Sequence, residues 1–180
     1  MNPITVFELK LMHALEALHS PFGDILARAV SALGEFGAVF ILLAALLLAF
    51  PRTRRAGCVL ALALLLDLLT VNLCLKPLFM RPRPYTLDSA LRLISRLPSD
   101  ASFPSGHTAV AFASAMALRA AGRRAHVAAL IFAVLMGLSR VYLMVHFPTD
   151  VLAGAAIGSI CGYSALFIWK KLAKCDIIIK

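Results

Sequence analysis

Acidic residues are scarce in this chain: nine Asp and Glu stand against eighteen Lys and Arg, leaving a net charge of +9. Charges of both signs fill only 15% of the 180 positions while 61% are hydrophobic, which excludes a disordered protein and is too apolar to enclose in one soluble core. The four cysteines, Cys58, Cys74, Cys161 and Cys175, lack metal-ligand or redox spacing, and each lies in or beside an apolar run, as packing residues do. The start lacks the charged, apolar and small-residue blocks of a secretory signal, so the first true span is expected to direct insertion. No internal repeat or low-complexity segment divides residues 1–180, which are expected to form a single integral-membrane domain. The basic residues form no stripe interleaved with aromatics. They fall between apolar runs, so no nucleic-acid partner is expected, and they read as topology signals and anion-binding groups.

What is present is a succession of apolar runs long enough to cross a hydrocarbon core. Crossings are expected at about 24–50, 56–75, 105–121 (a shorter run), 126–145 and 148–169, the last closed by Trp169, Lys170, Lys171 and Lys174 as an interface anchor. Ahead of them, residues 1–20 hold a helix with Phe7, Leu11, Leu15 and Leu18 on one face and Glu8, Lys10, Glu16 and His19 on much of the rest, a pattern for lying along the membrane surface. The expected fold class is all-α, a polytopic membrane helical bundle of about five spans plus an N-terminal interfacial helix. Gly154, Gly158 and Gly162, four apart on the last span, predict close helix packing. Asp67 and Asn72 lie within the second span, where a buried hydrogen bond between helices is weighed ahead of a direct functional role.

With five crossings, the basic turns Arg52/Arg54/Arg55 and Arg119/Arg123/Arg124 share a side with the basic C-terminal tail, and the Lys and Arg bias makes that side cytoplasmic. The N-terminal helix, the long loop 76–104 and the segment around His146 are then extracytoplasmic. That loop carries Lys76, Arg81, Arg83, Arg92 and Arg96 against the bias, and anion binding supplies a reason. Arg81, Arg92 and Arg96 read equally as headgroup contacts or as solvated loop charges.

Three clusters converge on that face: Lys76 with Arg83-Pro84, then Pro104-Ser105-Gly106-His107, then Ser139-Arg140 with His146 and Asp150. Any one alone would pass as a snorkelling or structural group. Together they hold the parts of a phosphoryl-transfer site. Arg83 and Arg140 offer planar, bidentate donor forks and Lys76 a compact charge. Ser105 and Gly106 sit where a loop enters a helix, so free backbone N–H groups face an anion there. An ordinary helix cap would explain Ser105 but not His107. Asp150, four residues after His146, is placed to hold that imidazole in one tautomer, with Pro148 at the first helical position of the last span. His13, His19, His107, His126 and His146 form no compact ligand set with carboxylates, so no metal is expected.

These motifs, spread over roughly residues 75–158, resemble the signature of the type 2 phosphatidic acid phosphatase superfamily, with no departure inside them. That superfamily also includes vanadium haloperoxidases, glucose-6-phosphatase-like enzymes and bacterial undecaprenyl-diphosphate phosphatases. The resemblance implies a lipid phosphate or diphosphate phosphatase without cofactor, in which His146 attacks phosphorus to give a phosphohistidine, Asp150 orients it and His107 protonates the leaving oxygen. Lys76, Arg83, Ser105, Gly106 and Arg140 would bind the phosphate. The expected partners are a phosphorylated lipid substrate and the surrounding membrane lipids, and the expected location is a bacterial inner membrane. Undecaprenyl diphosphate is the leading substrate, with phosphatidylglycerophosphate, phosphatidic acid and phosphotransfer to another lipid as alternatives. A non-enzymatic anion transporter or lipid flippase is a further alternative, but transport needs no His-Asp pair.

Overall fold

A computed structural model describes residues 1–95 and 98–178, with side chains through residue 173; Arg96 and the side chains of Lys174 and Cys175 lie outside the described residues. All regular structure among the described residues is helical. Helix α1 (Pro3–Glu16) starts behind Asn2, whose side chain accepts the Thr5 N–H at 2.8 Å, and α2 (Pro21–Leu33) starts behind Ser20, which accepts the Gly23 N–H at 3.1 Å. Both place Pro at the first turn, where its missing N–H is harmless.

The first apolar run, expected as one unbroken span, is interrupted before α3 (Ala38–Ala49) by a turn at Glu35–Gly37. There Phe36 has φ 50° and Gly37 φ 68°. Glycine takes that conformation freely, but a residue with a Cβ is disfavoured by about 1–2 kcal/mol. Gly34 and Gly37 flanking Glu35 inside an apolar run are the signal that reading the run as continuous passed over.

The second run, α4 (Arg54–Asp67), widens into a π-helical stretch at Leu68–Leu75 and ends as α5 (Lys76–Phe79), so Lys76 lies on a helix rather than in the loop. After the short α6 (Pro84–Leu87) come α7 (Gly106–Ala117), α8 (Arg123–Tyr142) and α9 (Pro148–Ile178). Among the described residues, four stretches are long and apolar enough to cross a membrane: Pro21–Ala49, Arg54–Leu87, Arg123–Tyr142 and Pro148–Ala173. The run expected as a further, shorter crossing forms α7 with its extension Leu118–Ala121; it is not long enough to count among these four and is enclosed by α4, α8 and α9.

Packing runs opposite to that of a soluble protein. Ala109, Ala111, Ala113, Ala115 and Ala117 are fully buried, while Leu42, Ile131, Leu152, Ile160 and Phe167 are exposed toward where lipid would lie. Small residues let α9 press on the α7 backbone: a Cβ on Gly154 would stand 2.6 Å from the Ser105 carbonyl, and Gly158 and Gly162 meet the carbonyls of Ala109 and Ala113 the same way. Helix α1 follows the same inversion. Phe7 and Leu11 face outward, as does Leu18 just beyond the helix, and the side that carries Glu8 turns in, burying it with Leu9 and Met12. Asp67 is buried, but its Oδ1 has no hydrogen-bond partner, so the interhelical bond expected of this residue is not made through that oxygen.

The turns at 50–53 and 118–122 lie at one end of the bundle, where Ala120, Ala125 and Trp169 pack against one buried cluster that includes Leu60 and Leu118. At the other end gather α1, the connection from α5 to α7, and a turn from α8 to α9 in which buried Met144 takes φ 59°.

Candidate active site

That turn delivers His146, almost wholly buried. Its Nδ1 lies 2.8 Å from the backbone carbonyl of Ser102 and 3.7 Å from Oδ2 of Asp150, while Nε2 lies 3.3 Å from Nη1 of Arg83. A carbonyl only accepts and a guanidinium only donates, so the proton sits on Nδ1 and the lone pair on Nε2. Burial pushes the imidazole down to about 4, against the raising effect of Asp150 and with a further lowering from Arg83 and Arg140. The ring is therefore neutral at neutral pH.

Asp150 sits in the first turn of α9, as the position of Pro148 led one to expect. Its Oδ2 accepts the Ser102 hydroxyl at 2.6 Å and the Phe147 N–H at 3.0 Å, and its Oδ1 accepts from Nη1 of Arg81. Arg81 is thus no solvated loop charge. Ser102, with both its hydroxyl and its carbonyl on the His146-Asp150 pair, carries no sequence signal beyond standing just before the PSGH motif.

The cations come from three elements. Arg83 is buried and uses its whole fork: Nη1 donates to the Val145 carbonyl at 2.7 Å, Nε to the Asp100 carbonyl at 2.9 Å and Nη2 to Asp100 Oδ1 at 2.7 Å. Lys76 pairs with the other oxygen of Asp100. Burial would raise the Asp100 carboxyl, but Lys76 and Arg83 beside it hold it down at about 2. Gly106 lies beside this arrangement: a Cβ there would stand 3.4 Å from the Lys76 ammonium, an ordinary contact. Ser105 makes no side-chain cap; its hydroxyl pairs with that of Thr108 at 2.9 Å and its N–H donates to the Asp150 carbonyl at 3.0 Å. Arg92 lies near Asp24, 3.7 Å away, and its N–H donates to Glu16.

Arg140 adds its charge to the surroundings of the same imidazole and, like Arg83, lowers it. Nη1 of Arg140 donates to the Ser31 hydroxyl, and Glu35, set by the break in the first span, brings its carboxylate to 3.8 Å from Nε2 of His107. Two buried nitrogens, Nε of Arg140 and Nε2 of His107, have no hydrogen-bond partner. An unsatisfied buried polar group is costly enough to ask what ligand would satisfy it. An anion with several acceptor oxygens fits this set of donors.

A family model described as the PAP2 superfamily matches residues 56–174, and the chain belongs to that superfamily. It is 34% identical over 122 residues to an undecaprenyl-diphosphatase of Sulfolobus acidocaldarius, covering 67% of this chain and 59% of that one. The chain thus spans little more than half the length of that relative. The crystal structure of Aquifex aeolicus LpxE matches with a TM-score of 0.78 at 34% identity, covering 88% of this chain and 93% of that one. The first transmembrane PAP2 type phosphatidylglycerolphosphate phosphatase from Bacillus subtilis matches with a TM-score of 0.79 at 25% identity, covering 95% and 88%. With its apolar helices, this likeness makes the chain an integral membrane protein.

Proposed function

We propose that the chain is a metal-independent lipid phosphatase that removes phosphate from a lipid phosphate or diphosphate through a phosphohistidine on Nε2 of His146. The observation that carries this reading is the neutral imidazole fixed in one tautomer, its lone pair on the side of Arg83. Nε2 attacks phosphorus, the bond from phosphorus to the leaving oxygen breaks, and that oxygen takes a proton from His107. Water then gives its proton to His107 and attacks the phosphohistidine, releasing inorganic phosphate and restoring His146. Arg83, Arg140, Lys76 and the Gly106 N–H at the start of α7 hold the equatorial oxygens, the part a metal ion plays elsewhere, whereas the Ser105 N–H is already taken by the Asp150 carbonyl. The Ser102 carbonyl keeps the proton on Nδ1, and Asp150, 3.7 Å away, orients the ring. Asp100 bridges Lys76 and Arg83 at the spacing phosphoryl oxygens would take, and substrate must draw one or both cations from it.

Undecaprenyl diphosphate is the substrate we favour, supported by the name of the Sulfolobus relative; phosphatidylglycerophosphate follows from the likeness to the Bacillus structure. The site lies at the end opposite the basic turns, which supports an extracytoplasmic place for the active-site region 76–104 and a cytoplasmic C-terminus; a bacterial inner membrane is the location we favour, supported by the likeness to the Aquifex and Bacillus structures. Phosphate release from these lipids and from phosphatidic acid in mixed micelles, with excess chelator, tests the reading. Turnover that persists with chelator and disappears in His146→Ala and His107→Ala supports it. A purified protein that binds these lipids without releasing phosphate would leave the transporter reading in its place.

A further inference from the structure

The buried carboxylate of Glu8 has no part in the mechanism above, although it lies on the N-terminal helix within two bonds of the proposed nucleophile's partner. Its Oε1 accepts the Thr149 N–H at 2.9 Å and the Thr149 hydroxyl at 2.7 Å, and its Oε2 accepts Nη2 of Arg81 at 2.7 Å. The other arm of the same guanidinium, Nη1, donates to Oδ1 of Asp150 and to the Thr149 hydroxyl at 2.8 Å. The Arg81 guanidinium also lies 4.2 Å over the Phe147 ring. Glu8, Arg81, Asp150 and His146 thus form one unbroken chain of contacts, with side-chain exposures of 3%, 20%, 0% and 2%.

We propose that Arg81 and Glu8 are positioning residues for the His146-Asp150 pair, making helix α1 part of the machinery of the site. This rests on the reading of His146 as the nucleophile. A planar fork that spans two carboxylates fixes the plane of both. Arg81 takes the Asp150 oxygen turned away from His146, which leaves Oδ2 aimed at the imidazole. Glu8 in turn holds Arg81 from behind and, through the Thr149 N–H, ties that hold to the start of α9, on which Asp150 rides. A clasp that only fastened α1 to the bundle would be complete with Glu8 and Thr149 and would need no arm on Asp150.

The test has two readouts on the full chain in nanodiscs. The first is turnover of a lipid phosphate by Glu8→Gln, Arg81→Ala, Arg81→Lys and the Glu8→Gln/Arg81→Ala double variant, with thermal unfolding as a control. Outer-shell partners of a reacting group are worth about 10–100-fold, so Arg81→Ala should lose kcat by about 100-fold and Glu8→Gln by about 10-fold, KM staying within about twofold. Arg81→Lys should not rescue, because a point charge cannot bridge two carboxylates. The double variant should match Arg81→Ala, since Glu8 acts through Arg81. The second readout is the imidazole nitrogen spectrum of His146 in protein labelled with 15N-histidine, which needs no turnover. Wild type should show one neutral tautomer with the proton on Nδ1, and both Arg81→Ala and Glu8→Gln should disturb it. Lowered melting with kcat and the His146 signals unchanged would overturn the proposal in favour of a clasp, and a rise in KM alone would assign Arg81 to the phosphate instead. Failure of the nucleophile reading itself would show separately, as wild-type turnover that survives His146→Ala.

Discussion

Nη1 of Arg83 stands 3.3 Å from Nε2 of His146 while donating to the carbonyl of Val145, the residue next to it in the chain, at 2.7 Å. One guanidinium thereby fixes both Nε2 of His146 and the backbone that presents the ring. It also explains why Lys is a poor substitute, since one ammonium cannot serve the imidazole, the Val145 carbonyl and both Asp100 acceptors in a planar array.

Arg83→Ala should lower kcat by on the order of 10²–10³-fold, the usual loss for one transition-state donor, and Arg83→Lys should recover only a small part. Steady-state phosphate release checks this, with circular dichroism confirming that the helices survive.

Burial of neutral His146 predicts a pH dependence of stability. The folded ring takes up a proton only near pH 4, whereas an unfolded histidine does so near about 6.5. Between those values the unfolded chain binds the extra proton, so this contribution to stability is complete above about pH 6.5 and is lost as pH falls toward about 4. Melting temperatures in detergent should fall across that window in wild type and fall less in His146→Gln; equal slopes would contradict the burial argument.

Ser102→Ala removes the hydroxyl on Asp150 but leaves the carbonyl on Nδ1 of His146. The tautomer should survive, so kcat should drop by about tenfold rather than vanish, in line with loss of one outer-shell hydrogen bond. A loss as large as that of His146→Ala would mean the hydroxyl does more than orient.

Asp100 competes with any anion for Lys76 and Arg83. Asp100→Asn should therefore make inorganic phosphate and vanadate stronger inhibitors, by about tenfold if the loss of one charged hydrogen-bond acceptor is worth ~1.4 kcal/mol. Weaker inhibition would show that the carboxylate instead holds the two cations in place for substrate.

Lys76, Arg83, His107, His146 and Asp150 were legible in the sequence because each stands within two residues of a Pro or Gly near a loop or helix start, and Arg140, inside α8, because it stands six residues before His146. The structure gathers all six at one end of the bundle. Glu8, Arg81, Ser102, Asp100 and Ser31 were not legible, because each joins the site through a contact far along the chain or through its backbone. Glu8 shows the difficulty most clearly. On α1 the apolar positions Phe7 and Leu11 face outward, as a helix laid against lipid would have them, but nothing in that stripe signals that Glu8 on the other side turns into the protein instead of toward water. The break at Glu35 and the π-helical stretch before Lys76 likewise depend on packing that hydrophobic periodicity does not encode. The glycine ladder of α9 was readable for the opposite reason, since a four-residue step of the smallest side chain has few other uses.

Gly158→Ala should destabilise the bundle by about 1–3 kcal/mol, as overpacking does, because its Cβ would run into the Ala109 carbonyl. Cys58→Ala, at a half-buried position on α4, should leave melting and turnover close to wild type. Thermal unfolding in one detergent compares the two directly.

The central claim concerns which atom phosphorus meets. Rapid acid-free quenching of the enzyme with a labelled lipid phosphate, followed by mapping of the labelled peptide, should find the phosphoryl group on the imidazole of residue 146, stable to base and lost in acid. The same label on a different residue, or undiminished phosphate release after that histidine is replaced by alanine, would contradict the account.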